Sequence, residues 1–341
     1  MRDKPVLWSL LGGVRFFLAL IVAGGHLTAF DHSSRVAWFF GNMSGLAAVL
    51  GFLAISGFSI AASSAERPKG FLERRALRIF PLYILAILFS ALCTRISGGT
   101  VRATGETFTD PAWSDVWQNL IFAQGITAPS IGTNAAVWTL SIEVILYLAT
   151  PLLVRLSQGA LALIAMASLI LFMMAPYFFT PYYTELRFGS AVALLAWAWL
   201  AGFIAFRHRD KGVAALVLLG VFVTALSVNR TYLRAHWHFT LSIVALAFGL
   251  GDRLTAPRWL HSGLSLAGGA SYPLYLFHTP FYITLQGAGV TPSGWLWLVA
   301  IIALSVALDR VYDQPVKRLI KKNFLAGPLA ASASAPGRSP D

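Results

Sequence analysis

The chain has 341 residues, of which 57% are hydrophobic and 12% are charged, and its mean hydropathy is +0.68. This composition excludes an ordinary soluble globular protein, in which about a quarter of the residues are charged. The formal net charge of +12 does not indicate a nucleic-acid partner, because the basic residues lie between the apolar runs, where they determine membrane topology. The one cysteine, Cys93, excludes an intrachain disulfide.

Apolar runs long enough to span a bilayer recur along the chain, which predicts an all-α polytopic membrane protein with about ten transmembrane helices. The first run does not resemble a cleaved signal peptide, because an arginine lies inside it and further spans follow. A shorter apolar segment, 113–127, is predicted to be an interfacial or re-entrant helix. The predicted spans are 10–30, 44–63, 76–96, 134–154, 159–178, 187–206, 212–229, 236–251, 269–287 and 293–311.

The distribution of basic residues predicts the orientation of the chain. Nineteen of the 26 Lys and Arg residues lie on one side of these spans and six on the other, with Arg15 left inside the membrane. The positive-inside rule then places both termini in the cytoplasm, in a multi-pass protein of a bacterial-type inner (plasma) membrane. Residues 1–325 are predicted to form one transmembrane domain, and the low-complexity segment 326–341 is predicted to be disordered.

The first span contains two polar residues whose burial is costly. Arg15 and His26 are eleven residues apart, three helical turns to within about 20°, and share a face with Gly12, Ala19 and Val22. A translocon-type scale assigns about 2.5–3.5 kcal/mol to an arginine at the centre of a span, so the pair indicates function rather than packing alone. The small residues predict a groove with a cation at one end and an imidazole, a natural general base, at the other.

A basic fork precedes the third span. The segment 71–83, FLERRALRIFPLY, places Arg75 and Arg78 one helical turn apart. Such a fork suits phosphate oxygens. Ordinary topology-determining charge in contact with lipid headgroups is the alternative interpretation.

Glu143 lies well inside the fourth predicted span and shares a face with Thr139, Tyr147 and Thr150. A carboxylate there is expected to face the bundle interior and to pair with an arginine or histidine. A structural ion pair is one interpretation. A role in orienting or charging a catalytic group is favoured.

The ninth predicted span carries hydrogen-bonding side chains on one continuous stripe. Pro273 and Pro280 are expected to bend the helix beside it. The stripe fits a substrate passage, and interhelical hydrogen bonding is the alternative. Its members recur at i, i+4, i+7 and i+11 and are Ser271, Tyr275, His278 and Tyr282.

No sequence motif predicts a metal site. H-E-x-x-H, G-x-S-x-G and P-loop patterns are absent from the sequence, and His236 and His238 fall on opposite faces of the eighth predicted span, which makes them a poor zinc pair.

Taken in order, these motifs resemble those of acyltransferase family 3, integral membrane proteins that include O-acetyltransferases of bacterial polysaccharides. Each motif is loose by itself, but six in the family's order are specific. Among its members the chain most resembles the short, stand-alone exopolysaccharide O-acetyltransferases. The matching elements are Arg15-x10-His26, GFLAISGFSI at 51–60, FLERRALRIFPLY at 71–83, WTLSIEVILY at 138–147, SYPLYLFHTP at 271–280 and DQPVKRLIKK at 313–322.

The resemblance implies a membrane-bound O-acyltransferase that uses cytoplasmic acetyl-CoA as acyl donor and needs neither metal nor nucleic acid. The acceptor would be a hydroxyl of a cell-surface or exopolysaccharide glycan or of its lipid-linked oligosaccharide precursor, reached among the membrane lipids. The predicted catalytic residues are His26, Arg15 and Glu143. Arg74, Arg75, Arg78 and Tyr83 are predicted to bind the acyl-CoA. The residues predicted to bind the acceptor substrate are Ser141, Tyr275 and His278.

In the predicted mechanism His26 deprotonates the acceptor hydroxyl and Glu143 orients the imidazole. Arg15 and His26 are about 16 Å apart along an ideal helix, comparable to an extended pantetheine arm, unless Gly24-Gly25 breaks the helix. An acyl-histidine intermediate is the competing route. A transporter or flippase for a polysaccharide or lipid-linked intermediate, without acyl chemistry, is the alternative class.

Overall fold

The computed structural model describes residues 7–96, 100–101, 107–178, 186–208, 236–291 and 293–322, and most of them are helical. Short 3-10 turns cover Leu27–Ala29 and Gly132–Val137, and a π turn covers Asp309–Asp313. Two short strands, β1 Thr100–Val101 and β2 Thr107–Phe108, pair antiparallel. The α-helices within these ranges are α1 Leu7–His26, α2 Arg35–Asn42, α3 Gly45–Glu66, α4 Phe71–Ile96, α5 Trp113–Leu120, α6 Trp138–Leu153, α7 Gln158–Phe178, α8 Ser190–Arg207, α9 Trp237–Leu250, α10 Arg258–Gly287, α11 Gly294–Leu308 and α12 Gln314–Ile320.

The helices confirm an all-α polytopic membrane protein. Among the described residues, seven helical segments are long and apolar enough to cross a bilayer, and α9 is a shorter apolar helix. The count of about ten spans and the cytoplasmic placement of both termini stay predictions. The predicted span 212–229 and the predicted disordered tail 326–341 lie outside the described residues. The spanning segments are Leu7–Ala29, Gly45–Glu66, Phe71–Ile96, Gly132–Leu153, Gln158–Ala175, Ser190–Arg207 and Gly294–Ile320.

Three helices differ from the sequence prediction. α5 ends at Leu120, whereas the predicted interfacial or re-entrant helix extends to 127. α10 begins at Arg258, well before the predicted start at 269. Its Gly- and Ser-rich first turns continue the helix because they pack against α1. α2 has only eight residues, too few to be recognised by a search for spans. Its N-terminus is fixed by Ser34, whose side chain accepts a hydrogen bond from the backbone N–H of Ala37 at 3.3 Å, as N-cap serines do.

α1 and α10 form the central pair of the bundle and run parallel. Near one end, Ser9 and His261 are hydrogen-bonded at 2.8 Å, and toward the other the hydroxyl of Tyr282 donates to the carbonyl of Ala23 at 3.3 Å. Between them the backbones touch, since a Cβ on Gly268 would lie 2.9 Å from the Cα of Gly12. The predicted groove is therefore not open at Gly12, which α10 covers.

α3 and α8 also approach closely, through two glycines. A Cβ on Gly57 would collide with the backbone carbonyl of Trp199, and a Cβ on Gly202 would collide with the backbone carbonyl of Ala54. These pairings run in opposite directions along the two helices, so α3 and α8 pack antiparallel. Small residues allow this backbone approach in membrane bundles.

Replacing Gly57 with alanine is expected to lower the thermal unfolding temperature of the detergent-solubilised protein. The added methyl meets backbone atoms, so α3 and α8 must separate, and overpacking of this kind destabilises by about 1–3 kcal/mol or more. The matched control is Gly263→Ala in α10, where an added Cβ meets no atom within 4 Å and alanine favours the helix. Equal unfolding temperatures for the two variants would contradict this packing.

The 3-10 turn before α6 is hydrogen-bonded to α10 at a backbone carbonyl that a proline leaves without its helical partner. Pro280 has no N–H to offer the carbonyl of Leu276, and the side-chain amide of Asn134 donates to that carbonyl at 2.8 Å instead. The same amide donates to Ser90 on α4 at 3.0 Å. Asn134 thus joins three elements around the middle of α10.

The segment before α5 is tied to the end of α4 by Asp110. Its carboxylate accepts hydrogen bonds from the Thr94 hydroxyl and, at 3.0 Å, from Nε of Arg95. These bonds hold the pKa of Asp110 below its ordinary value, with the Thr94 hydroxyl as the main cause. The Arg95 guanidinium also lies 5.4 Å from the ring centroid of Trp113, so the start of α5 is fixed against α4.

Candidate active site

Two histidines from the central helix pair meet at one end of α1. Nδ1 of His26 lies 2.7 Å from Nε2 of His278, and the two ring planes are inclined by 24° with their centroids 5.0 Å apart. His278 is completely buried, whereas His26, the last residue of α1, is exposed. The pair therefore presents one imidazole outward and holds the other inside the bundle.

A cavity opens beside the same two helices, toward the Arg15 end of α1. About 790 Å³ of empty space lies within it, a volume that includes open solvent at its mouth. Residues from α1, α3, α4, α6 and α10 line it. Its polar lining consists of Arg15, Ser56, Ser59, Arg75, Arg78, Thr139, Glu143, Tyr147, Ser271, Tyr272 and Tyr275.

The cavity is rich in positive charge. Three guanidinium groups, those of Arg15, Arg75 and Arg78, share its lining with one carboxylate, that of Glu143. Arg15 donates to the hydroxyl of Ser59. Net positive charge in a partly enclosed, apolar-walled space favours an anionic ligand, because the low dielectric strengthens every charge interaction.

The three guanidinium groups are held differently. Arg75 donates to the hydroxyl of Ser63 at 2.8 Å, while its buried Nε has no hydrogen-bond partner in the part of the chain that the structure describes. Arg78 is exposed at the cavity wall and has no hydrogen bond or ion pair among the described residues. The basic fork predicted from the sequence therefore faces the cavity, with donors left over for a ligand.

Tyr275 adjoins both the cavity and the histidine pair. Its ring lines the cavity, and its centroid is 6.2 Å from that of His278. Its hydroxyl donates to the carbonyl of Ala136 at 2.8 Å and makes a 2.8 Å hydrogen bond with the hydroxyl of Thr139. Neither histidine lines the cavity, and Tyr275 is a cavity-lining residue that lies next to the pair.

The structure corrects the predicted partner of His26. Glu143 does not orient this imidazole, since its carboxylate accepts a hydrogen bond from the Tyr147 hydroxyl at 3.0 Å and lines the cavity with the arginines. The side chain in contact with this imidazole is that of His278, whose Nε2 lies 2.7 Å from Nδ1 of His26. The prediction that His278 binds the acceptor stays a prediction; its side chain is fully buried, and both of its ring nitrogens have partners in the protein.

Three other predicted residues lie outside the cavity lining. Arg74 donates to the backbone carbonyls of Arg67 and Lys69 and so closes the turn between α3 and α4. Tyr83 is buried, and its hydroxyl donates to the carbonyl of Asn119 at 2.6 Å. Ser141 donates to the carbonyl of Trp138 at 2.9 Å, within its own helix.

Some cavity residues were missed by the sequence analysis. Ser56 makes a 3.0 Å hydrogen bond with the Tyr147 hydroxyl, and Ser59 receives the Arg15 guanidinium. The two serines are three residues apart in GFLAISGFSI, a spacing that places them on one helix face. That spacing is the sequence signal from which both serines could have been predicted to lie on the same side of α3.

The described residues contain no group of three or more His, Cys, Asp or Glu side chains arranged to hold a metal ion. Within the same part of the chain, the rings of His236 and His238 lie 6.2 Å apart at the start of α9. The prediction that the protein works without a metal stays a prediction.

Comparison with known proteins decides the family. A family model described as an acyltransferase domain matches residues 10–308, which is most of the chain and includes both the histidine pair and the cavity. The chain belongs to acyltransferase family 3. The resemblance read from the six motifs is thereby confirmed, and the family supports acyl transfer as the general activity.

Two known proteins are similar to this chain in sequence. Nodulation protein 10 of Rhizobium leguminosarum bv. viciae is 25% identical over 343 residues, covering 90% of this chain and 92% of that protein. Acyltransferase MdmB of Streptomyces mycarofaciens is 30% identical over 171 residues, covering 46% of this chain and 41% of that protein. No solved structure matches the chain.

Proposed function

We propose that this member of acyltransferase family 3 transfers an acetyl group from acetyl-CoA to a hydroxyl of a cell-surface or exopolysaccharide glycan, or of its lipid-linked precursor. One observation carries the proposal: the same parallel helix pair, α1 and α10, bears an arginine-lined cavity along its length and an outward-facing histidine at one end. An anion site and a base on one rigid pair are the parts that acyl transfer from a phosphorylated thioester requires.

The charge of the cavity supports an acyl-CoA donor. Phosphate oxygens accept hydrogen bonds from guanidinium groups in bidentate geometry, and the unpartnered Nε of Arg75 and the uncommitted guanidinium of Arg78 offer such donors. With the phosphates at these residues, the pantetheine arm would extend past Arg15 toward the histidine pair.

Because α1 is unbroken, it sets the distance between Arg15 and His26 that the pantetheine arm of the donor must span. The helix continues through Gly24 and Gly25 to His26, so Arg15 and His26 stand about 16 Å apart along its axis. This separation suits a donor whose charged end and reactive end are far apart. In this proposal the thioester end of the donor passes the Tyr275 ring, which adjoins both the cavity and the histidine pair, to reach His26.

The proposed chemistry assigns the proton transfers to His26. Its ring takes the proton of the acceptor hydroxyl as the oxygen forms a bond to the thioester carbonyl carbon. The carbon–sulfur bond then breaks, and the departing CoA sulfur takes up a proton, which the histidine can return. Direct attack is the route proposed, and acyl-His26 trapped in a rapid quench without acceptor would establish the alternative.

The membrane placement follows from the predicted topology. If the termini are cytoplasmic, α1 carries Arg15 toward the cytoplasm, where acyl-CoA is made, and His26 toward the opposite face of the inner membrane. The acceptor would then approach from the side where surface glycans are assembled. Seven segments of the described residues are long and apolar enough to cross a bilayer, which supports an integral membrane location.

Mass spectrometry of the cell's surface polysaccharide, with and without the protein, tests the acceptor class. Loss of an ester-linked acetyl mass in the deletion strain, restored by the wild-type gene and not by the His26→Ala gene, is the expected result. An unchanged glycan with an acetyl mass missing from a lipid or small-molecule fraction would move the proposal to a different acceptor.

A further inference from the structure

The hydrogen bonds around the histidine pair have a direction that follows from one backbone group. Nδ1 of His278 lies 3.1 Å from the carbonyl oxygen of Leu274. A carbonyl only accepts, so Nδ1 of His278 must carry a proton for this contact to be attractive. In a neutral ring the other nitrogen, Nε2, then has a lone pair and accepts.

The neutral form of His278 is the one that its surroundings favour. The ring is completely buried, and none of the described residues places a carboxylate within hydrogen-bonding distance of it. A buried charge without a paired opposite charge is expensive, whereas a neutral ring with both nitrogens hydrogen-bonded is satisfied.

The position of the proton on His278 determines the position of the proton on His26. Because Nε2 of His278 accepts, Nδ1 of His26 at 2.7 Å must be the donor. The lone pair of His26 is therefore on Nε2, and this nitrogen has no hydrogen bond among the described residues. The carbonyl of Leu274 thus fixes the tautomer of His278, and His278 in turn fixes the tautomer of the exposed His26.

We infer that His278 is a positioning residue that holds His26 in its Nδ1–H tautomer, so that Nε2 is the atom that accepts the acceptor proton. The inference rests on the proposed role of His26 as the base. When Nε2 of His26 is protonated, its Nδ1–H still donates to His278, whose neutral ring stabilises the new imidazolium. An aspartate holds a catalytic histidine in the same way in serine hydrolases, but here the orienting group carries no charge into the membrane.

Two substitutions separate orientation from packing. In His278→Gln the side-chain oxygen can take the place of Nε2 and accept from His26 Nδ1–H, although the amide fills less space than the ring. In His278→Phe the ring is kept and the acceptor is lost. If His278 orients, glutamine is the better replacement, and if it only packs, phenylalanine is.

The tautomer is measured directly, with or without turnover. Ring ¹⁵N NMR of histidine-labelled protein distinguishes protonated from unprotonated nitrogens, and His26→Ala identifies the signals. We expect Nδ1 of His26 to be protonated and Nε2 unprotonated in the wild type and in His278→Gln, and this preference to be lost in His278→Phe. Protonated Nε2 of His26 in the wild type would overturn the inference.

The kinetic experiment compares the wild type, His278→Gln and His278→Phe, each assayed at a temperature at which all three are folded. We expect kcat for acyl transfer to fall at least 100-fold in His278→Phe and less than 10-fold in His278→Gln, with the KM for acyl-CoA unchanged in both. The reverse ranking would overturn the positioning role. If no protein in the series transfers an acyl group while the tautomer signals behave as expected, the proposed function fails and the assigned tautomer stands.

Discussion

Replacing His26 with alanine is expected to lower kcat for acyl transfer by about 10²–10⁴-fold, the range that a general base contributes. The KM for acyl-CoA should change little, because the donor's charged end binds at the distant cavity. The measurement is CoA thiol release at saturating donor and acceptor by the purified protein in lipid nanodiscs.

The matched control for this variant is His32→Ala. His32 is an exposed histidine six residues further along, in the turn after α1, and its loss should leave turnover at the wild-type level. Comparable losses in both variants would mean that the effect is general to that end of the bundle, and normal turnover in His26→Ala would remove the base from the mechanism.

Replacing Arg78 with glutamine is expected to raise the KM for acyl-CoA by about 10- to 150-fold, because a hydrogen bond to a charged group contributes about 1.5–3 kcal/mol. Its guanidinium lines the cavity and has no partner among the described residues, so little else in the protein depends on it. The kcat at saturating donor should stay near that of the wild type.

Arg310→Gln provides the matched change of charge. Arg310 is exposed in the π turn that follows α11 and does not line the cavity, so its KM should equal that of the wild type. Binding of a CoA analogue lacking its phosphates should be equally weak to wild type and Arg78→Gln. An unchanged KM in Arg78→Gln, or an equal rise in Arg310→Gln, would place the donor phosphates elsewhere.

The sequence allowed prediction of the residues that are costly to bury. Arg15, His26 and Glu143 were found because each interrupts an apolar run, and the fork of Arg75 and Arg78 was found from its one-turn spacing. All four arginine and glutamate side chains in this group line the cavity. Helical periodicity also predicted the polar stripe of α10, because spacing along one helix fixes which side chains share a face.

The pairing of His26 with His278 was beyond the reach of the sequence pattern. The two residues are 252 positions apart, and hydropathy says which helices span but not which helices touch. Glu143 was assigned to His26 because it was the conspicuous carboxylate inside a span, and the packing of α6 instead places it with the arginines. Nothing in the sequence distinguished a Glu143 beside His26 from a Glu143 beside the arginines, because the sequence pattern does not show which helices pack together.

The direction of long side chains was equally hard to predict. Arg74, Arg75 and Arg78 form one basic run, yet Arg74 bonds to backbone carbonyls of the preceding turn while the other two face the cavity. Tyr83 follows the run in the sequence, but its hydroxyl is hydrogen-bonded to the carbonyl of Asn119 near the end of α5. These outcomes depend on the rotation of α4 within the bundle, which a loose motif does not specify.

Transfer of isotopically labelled acetyl from acetyl-CoA to the acceptor glycan, measured with the purified protein in proteoliposomes, tests the account most directly. We predict that label appears on the glycan as an ester, that one CoA thiol is released for each ester formed, and that both products depend on His26. Unconsumed acetyl-CoA in the presence of acceptor, or ester formation at the wild-type rate in His26→Ala, would contradict it.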